Sequence, residues 1–167
     1  MKKNIIITVM IIINMGCNAQ SSGEKAISKS NMNVSWHYVN DRIFFEMDAP
    51  TDGWVTIGFN TQSGTTGAYL LMGNIVSGKV NVVEHYTKSP GNYTPITKLG
   101  AKSQVENIEG IEKSNHTLIK FSLPIKALSK YQKDLSEGSK YTMIIAYSRE
   151  DDFQHHSMMR TSANVKL

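Results

Sequence analysis

Val34-Ser35-Trp36-His37-Tyr38-Val39-Asn40-Asp41-Arg42-Ile43-Phe44-Phe45-Glu46-Met47-Asp48 alternates apolar and polar side chains on both sides of a two-residue turn signal. Successive side chains of a strand point to opposite faces, so Val34, Trp36 and Tyr38 share one face, and Ser35 and His37 the other. After Asn40-Asp41, Ile43, Phe45 and Met47 alternate with Arg42, Phe44 and Glu46 in the same way. A hairpin with one apolar face has to bury that face against another layer, and this sets the fold class.

The same grammar continues outward. Pro50 and Gly53 bracket a break, after which Trp54–Phe59 puts Val55, Ile57 and Phe59 on one side. A Gly/Thr/Ser-rich loop at 60–67 precedes a strand over 68–76, and Ser77-Gly78 signals a tight turn into 79–86, with Val80 and Val82 inward. Residues 87–115 carry Pro90-Gly91-Asn92, Pro95 and Gly100, and predict irregular excursions with one or two weak strands. Thr117–Leu123 alternates again, and 141–147 and 158–167 read as the last two strands. Ile125, Leu128 and Tyr131 stand at helical spacing, which predicts a short helical crossover over 124–133. Short strands between frequent turns specify an all-β fold, an antiparallel β-sandwich of about ten strands.

The N-terminus has a different character. Lys2 and Lys3 precede an apolar run from Ile5 to Ile13, then Asn14-Met15-Gly16-Cys17. Charge, apolar stretch and small residue before a cleavage point are the layout of a secretory signal, and the run is short of the roughly 20 residues a membrane span needs. Gly16 before the chain's single cysteine resembles a lipobox, with Asn14 departing from the aliphatic residue usual there. The reading is a lipoprotein signal over 1–16, a membrane lipid on acylated Cys17, a flexible tether over 17–30 and one domain over 31–167. The expected location is the cell envelope, lipid-anchored, facing the periplasm or lying on the outer membrane or cell surface. No acidic residue follows Cys17 directly, so that signal for inner-membrane retention is missing. Loss of residues 1–16 would halve the formal net charge of +4, and the remaining lysines are scattered, which argues against nucleic acid as a partner.

Three segments, Trp54-Val55-Thr56-Ile57-Gly58-Phe59-Asn60, Gly67-Ala68-Tyr69-Leu70-Leu71-Met72-Gly73 and Val82-Val83-Glu84-His85-Tyr86, resemble the DOMON domain family. Phe121-Ser122-Leu123-Pro124 and a final histidine-bearing strand continue the order. The family takes its name from dopamine β-monooxygenase and includes the cytochrome domain of cellobiose dehydrogenase. The resemblance implies a β-sandwich that binds haem b through methionine and histidine or, in other branches, sugars. It places the ligating methionine where this chain has Thr65, whose hydroxyl is a poor iron ligand, and an acidic residue where this chain has Tyr69. Met72 is then the thioether left to test.

His155 and His156 precede Met158, Met159 and Arg160. Imidazole ligates iron or copper, and a guanidinium pairs with a propionate or a sugar carboxylate. Alternation puts His156, Met158 and Arg160 on one face. The bland alternative is a polar loop leading to an edge strand. Met47, Met72, Met158 and Met159 with the two histidines would make a soft Cu(I) site, against the plainer expectation of core methionines. Trp36, Trp54 and Tyr69 are candidates for stacking on a sugar, against core packing. No nucleophile has an adjacent base and no glycine loop cradles a phosphate. The expectation is a non-enzymatic module for haem or carbohydrate, with a redox or surface protein as partner, and a site where the 60–67 loop meets 151–160.

Overall fold

The computed structural model describes residues 23–167. The signal segment, Cys17 and the first part of the tether lie outside the described residues. The chain forms β1 (Lys25–Lys29), β2 (Met32–Val39), β3 (Arg42–Ala49), β4 (Val55–Asn60), β5 (Tyr69–Val76), β6 (Lys79–Ser89), β7 (Asn92–Pro95), β8 (Glu106–Glu112), β9 (Thr117–Pro124), β10 (Lys140–Tyr147) and β11 (Met159–Lys166). A 3₁₀ turn spans Ile96–Leu99. Two antiparallel sheets result, with strand orders β1-β2-β3-β9-β8 and β11-β10-β4-β5-β6-β7.

The opening hairpin folds as its pattern requires. β2 and β3 pair with Trp36 opposite Phe45 and Val39 opposite Arg42, and Asn40 takes the positive φ of 55° that a tight hairpin turn demands. Ser77 and Gly78 are both at positive φ, 50° and 77°, and close β5 onto β6. The inner faces make one core. Ile43, Phe45, Met47, Ile119, Phe121 and Leu123 from one sheet meet Val55, Ile57, Phe59, Leu71, Met143 and Ile145 from the other. The Phe45 ring lies 5.6 Å from Phe59 across the sheets and 5.7 Å from Phe121 on the neighbouring strand.

Two expectations are corrected. Residues 25–29, assigned to the tether, pair with β2 as an edge strand, with Ile27 opposite Val34. A polar strand with one apolar residue shows too little alternation to be recognised alone. The helical spacing at 124–133 does not produce a helix. Here side chains take the backbone donors: Asp134 accepts from Ala127 N at 2.8 Å and Gln132 Oε1 from Leu128 N at 3.3 Å. Leu135 N crosses the loop to Ile125 O at 2.7 Å, and Leu128 stays 73% exposed.

The six-stranded sheet departs from simple alternation. β4 is buried at all of its residues and β5 at all but the last. Both faces of these central strands are therefore covered, and the outer cover makes the site.

Candidate functional site

Leu70 and Met72 of β5, Ile144 and Ala146 of β10, and Ala68 and Trp54 form a second apolar cluster, against which Tyr93 and Phe153 pack. In the strand registers, Leu70, Met72, Ile144 and Ala146 stand out of phase with the core residues Leu71, Met143 and Ile145. They therefore project from the outer face of the six-stranded sheet.

The 148–158 segment closes over this face, and its attachments are specific. Trp54 N donates to Glu150 O at 3.0 Å and Ser148 N to Trp54 O at 2.9 Å. Asn74 Nδ2 donates to Asp151 O at 2.7 Å, and the Tyr93 hydroxyl donates to Phe153 O. Ser148 Oγ holds His156 O at 3.1 Å, and Gln154 N bonds to Asp152 Oδ1 at 2.9 Å. Gly53 makes the close approach possible. A Cβ there would stand 2.5 Å from the Arg149 carbonyl carbon and 2.6 Å from Glu150 N, so a larger residue would push the segment away.

From the other side comes the 60–67 loop. Asn60 Nδ2 donates to Gly64 O and Thr66 O, each at 3.0 Å, and Gly67 N donates to Thr87 O at 2.8 Å. Between the two loops lies a partly open cavity of about 110 Å³. An open cleft of about 480 Å³ adjoins it and shares Thr65, Ile144 and Arg160. Met72, Trp54 and Leu70 line the cavity together with Thr65, His155, His156 and Arg160.

The structure thus gathers Thr65, Met72, His155, His156 and Arg160 around one space. Its geometry differs from the strand alternation expected at 155–158. β11 begins only at Met159, so both histidines sit in the turn before it and both line the cavity, exposed at its rim. Tyr69 is not part of the site. It points into the sandwich, is fully buried, and donates to Glu84 Oε1 at 2.5 Å. Burial first, and then the Glu84 charge, hold its phenol well above the usual range. Trp36 likewise belongs to the inner core. The methionines do not converge: Met47 is in the inner core, Met72 on the outer face and Met158 is 48% exposed. Among the described residues no three His, Cys, Asp or Glu side chains cluster to hold a metal ion.

Trp54, a candidate for sugar stacking, lines the cavity, and so does Thr87, which the sequence did not single out. The clue lay in the unbroken Tyr69-Leu70-Leu71-Met72 run, since a strand apolar on both faces needs a cover on both faces.

His85 lies beside the cavity wall, 1% exposed, with its ring edge-on to Tyr93 at 5.6 Å and Phe153 at 5.7 Å. Burial pushes its pKa below the usual value, partly opposed by the Nδ1 contact to Val83 O. The folded state therefore binds fewer protons at this site than the unfolded chain, and stability falls as pH drops below about 6.5. His85→Phe keeps an aromatic ring and removes the titration. Thermal melts of the two proteins should diverge between pH 7 and 5, with the wild type losing more; parallel curves would remove His85 from this account.

The model of the DOMON domain matches residues 28–148, and the chain belongs to that family. Its curated relatives include DBH-like monooxygenase protein 1 of Mus musculus, 22% identical over 138 residues, and of Homo sapiens, 24% identical over 138 residues. Each match covers 80% of this chain and 22% of the relative, so the chain spans about a fifth of those proteins. Among solved structures, the cytochrome b domain of pyranose dehydrogenase from Coprinopsis cinerea shares the fold, with a TM-score of 0.60 at 10% identity, covering 84% of this chain and 80% of that one.

Proposed function

We propose that this DOMON domain is a non-enzymatic ligand-binding module of the cell envelope, and that haem b is held in the outer-face cavity for electron transfer. The observation that carries this reading is the meeting of two imidazoles, one thioether and one guanidinium around a largely apolar floor. The likeness to a domain described as a cytochrome b domain supports it. The donor set fits the group. His156 or His155 would hold the iron, Arg160 would pair with a propionate, and Met72, buried in the floor, is the first thioether to test as a second ligand. Bound haem with such ligands would supply one-electron transfer in place of oxygen chemistry. The apolar floor excludes water from the face it covers, and the tied-down 148–158 segment fixes the histidines. Small-molecule sites commonly measure about 300–1,000 Å³, so a porphyrin would occupy the cavity and the adjoining cleft together.

Addition of haemin to the purified protein, followed by visible spectroscopy, tests the proposal. The wild type should develop a haem-protein spectrum, and His155→Ala or His156→Ala should weaken binding about tenfold or change the ligation bands. If neither variant alters a bound spectrum, the histidines are not ligands. Thr65 favours a second reading, a haem-free module for a carbohydrate or a surface protein, because its hydroxyl stands where the family resemblance implies methionine.

The anchor belongs to the same proposal and rests on Gly16-Cys17 after the short apolar run. Cys17→Ser should release the protein from the membrane fraction and abolish its acyl mass. A variant that stays membrane-bound, beside a wild type without acyl mass, would refute lipidation.

A further inference from the structure

Leu128 is 73% exposed, more than any other large apolar side chain among the described residues, yet the loop that carries it is firmly built. Gln132 Oε1 accepts from Leu128 N and from Ser129 Oγ, and Gln132 Nε2 donates to the buried Glu84 at 2.9 Å. The loop therefore displays Leu128 at a fixed place, against the hydrophobic effect. Lys126, Lys130, Lys133 and Lys140 flank it in the chain. The acids of the segment are engaged, Asp134 with Lys126 and Glu137 with Lys25, each at 3.3 Å. Lys130, Lys133 and Lys140 enter no ion pair among the described residues, and Lys140 stands opposite Lys166, a like-charge pair across the strands. Against them stands Asp41, whose carbonyl accepts from Ile125 N at 3.0 Å.

The first strand of the domain enters at this same end. Besides the Lys25–Glu137 pair, Tyr38 Oη donates to Leu135 O at 2.9 Å and Tyr141 Oη to Asp134 O at 2.5 Å. Eight residue steps separate Cys17 from Lys25, a reach of at most about 29 Å. The histidine-bearing segment follows the other end of β10, at Tyr147, roughly 23 Å from Lys140 at about 3.3 Å per residue.

We propose that the 124–140 loop docks the domain on an anionic lipid membrane. Leu128 enters the boundary between headgroups and acyl chains, and Lys130, Lys133 and Lys140 lie against the lipid phosphates. The inference rests on the reading of Cys17 as a membrane anchor and adds the face that the domain turns to the bilayer. Interfacial binding of this kind gains from apolar burial and from the attraction of lysines to anionic headgroups. One leucine and three lysines bind weakly alone, and a short tether supplies the local concentration that makes such a contact persist. With this loop against the lipid, His155 and His156 stand at the far end of the sandwich, on the aqueous side.

The full chain is reconstituted in vesicles of phosphatidylcholine and phosphatidylglycerol, and tryptophan emission is compared between brominated and plain lipid. Trp36 and Trp54 are 4% and 3% exposed, so the wild type should be little quenched. Leu128→Trp should lose about half or more of its added emission to the brominated lipid. Met158→Trp, at a side chain 48% exposed near the histidines, should lose none. Lys130→Glu combined with Lys133→Glu should at least halve the quenching of Leu128→Trp, since it reverses the charge that faces the phosphates. Both lysines lie in the loop and not in the core, so melting temperatures should stay at the wild-type value. Equal quenching at positions 128 and 158, or quenching indifferent to the charge reversal, overturns docking by this loop. No quenching at 128 overturns it too, and leaves Leu128 to a protein partner. Acyl mass measured on the same sample reads the anchor separately. Quenching at 128 without an acyl group removes lipidation alone, and an acylated chain without quenching removes docking alone.

Discussion

Phe121→Ala should destabilise the domain by about 3–5 kcal/mol, the usual cost of truncating a well-packed core aromatic. Phe121 is 1% exposed, and β9 carries it opposite Phe45 in the middle of the five-stranded sheet. Its ring lies 5.7 Å from that of Phe45, which in turn reaches Phe59 of the other sheet. Removal of the ring would take away transfer energy and leave a void that strands paired on both sides cannot close. Chemical denaturation gives the value directly. A loss under about 1 kcal/mol would mean that the two sheets do not meet at this residue.

Glu84→Ala should cost at least about 3 kcal/mol, for a different reason. Glu84 is 1% exposed and accepts three hydrogen bonds: from Tyr69 Oη at 2.5 Å, Gln132 Nε2 at 2.9 Å and Gln104 N at 2.7 Å. Alanine would strand three donors, and each unsatisfied buried group costs roughly 1–3 kcal/mol. The carboxylate joins β5 and β6 to the loops around 104 and 132, segments far apart in the chain, so their packing should loosen together. Glu84→Gln keeps the shape but turns one acceptor into a donor, and should fall between alanine and wild type. Denaturation midpoints within about 1 kcal/mol of the wild type for Glu84→Ala would show that the network adds nothing to stability.

These two residues also mark how far the sequence could be read. Phe121 lies in a clean alternation, and each strand predicted from alternation, at 34–39, 42–48, 55–59 and 117–123, is present. Period two exposes a strand with one wet face. Glu84 has no such signature, because a charged residue in a strand reads as outward-facing until its donors are seen. The same limit hid the outer layer. In the 69–72 run both faces are apolar, so periodicity could not say that a second cluster lay under the 148–158 segment. β1 was hidden for the opposite reason, with Ile27 its single large apolar residue. At the site, the family pattern located Thr65 and the two histidines, and the fold brings them to one cavity. It misplaced Tyr69, since strand phase turns that ring inward to Glu84 and presents Leu70 and Met72 to the outer-face cavity instead. Thr87 became visible only when the loops closed over it, whereas Trp54, a candidate for sugar stacking, lines the same cavity.

The central claim is that the outer-face cavity between the 60–67 loop and the 148–158 segment is a haem-type ligand site without the methionine that the family resemblance implies. Thr65 lines that cavity and occupies the position where the family resemblance implies a methionine. The visible spectrum of the Thr65→Met variant, recorded during haemin titration beside the wild type, tests this most directly. A thioether at that wall should tighten haem binding by about tenfold or more and shift the bands toward a six-coordinate, methionine–histidine form. A Thr65→Met spectrum and affinity identical to the wild type, or no haem bound by either protein, would contradict it.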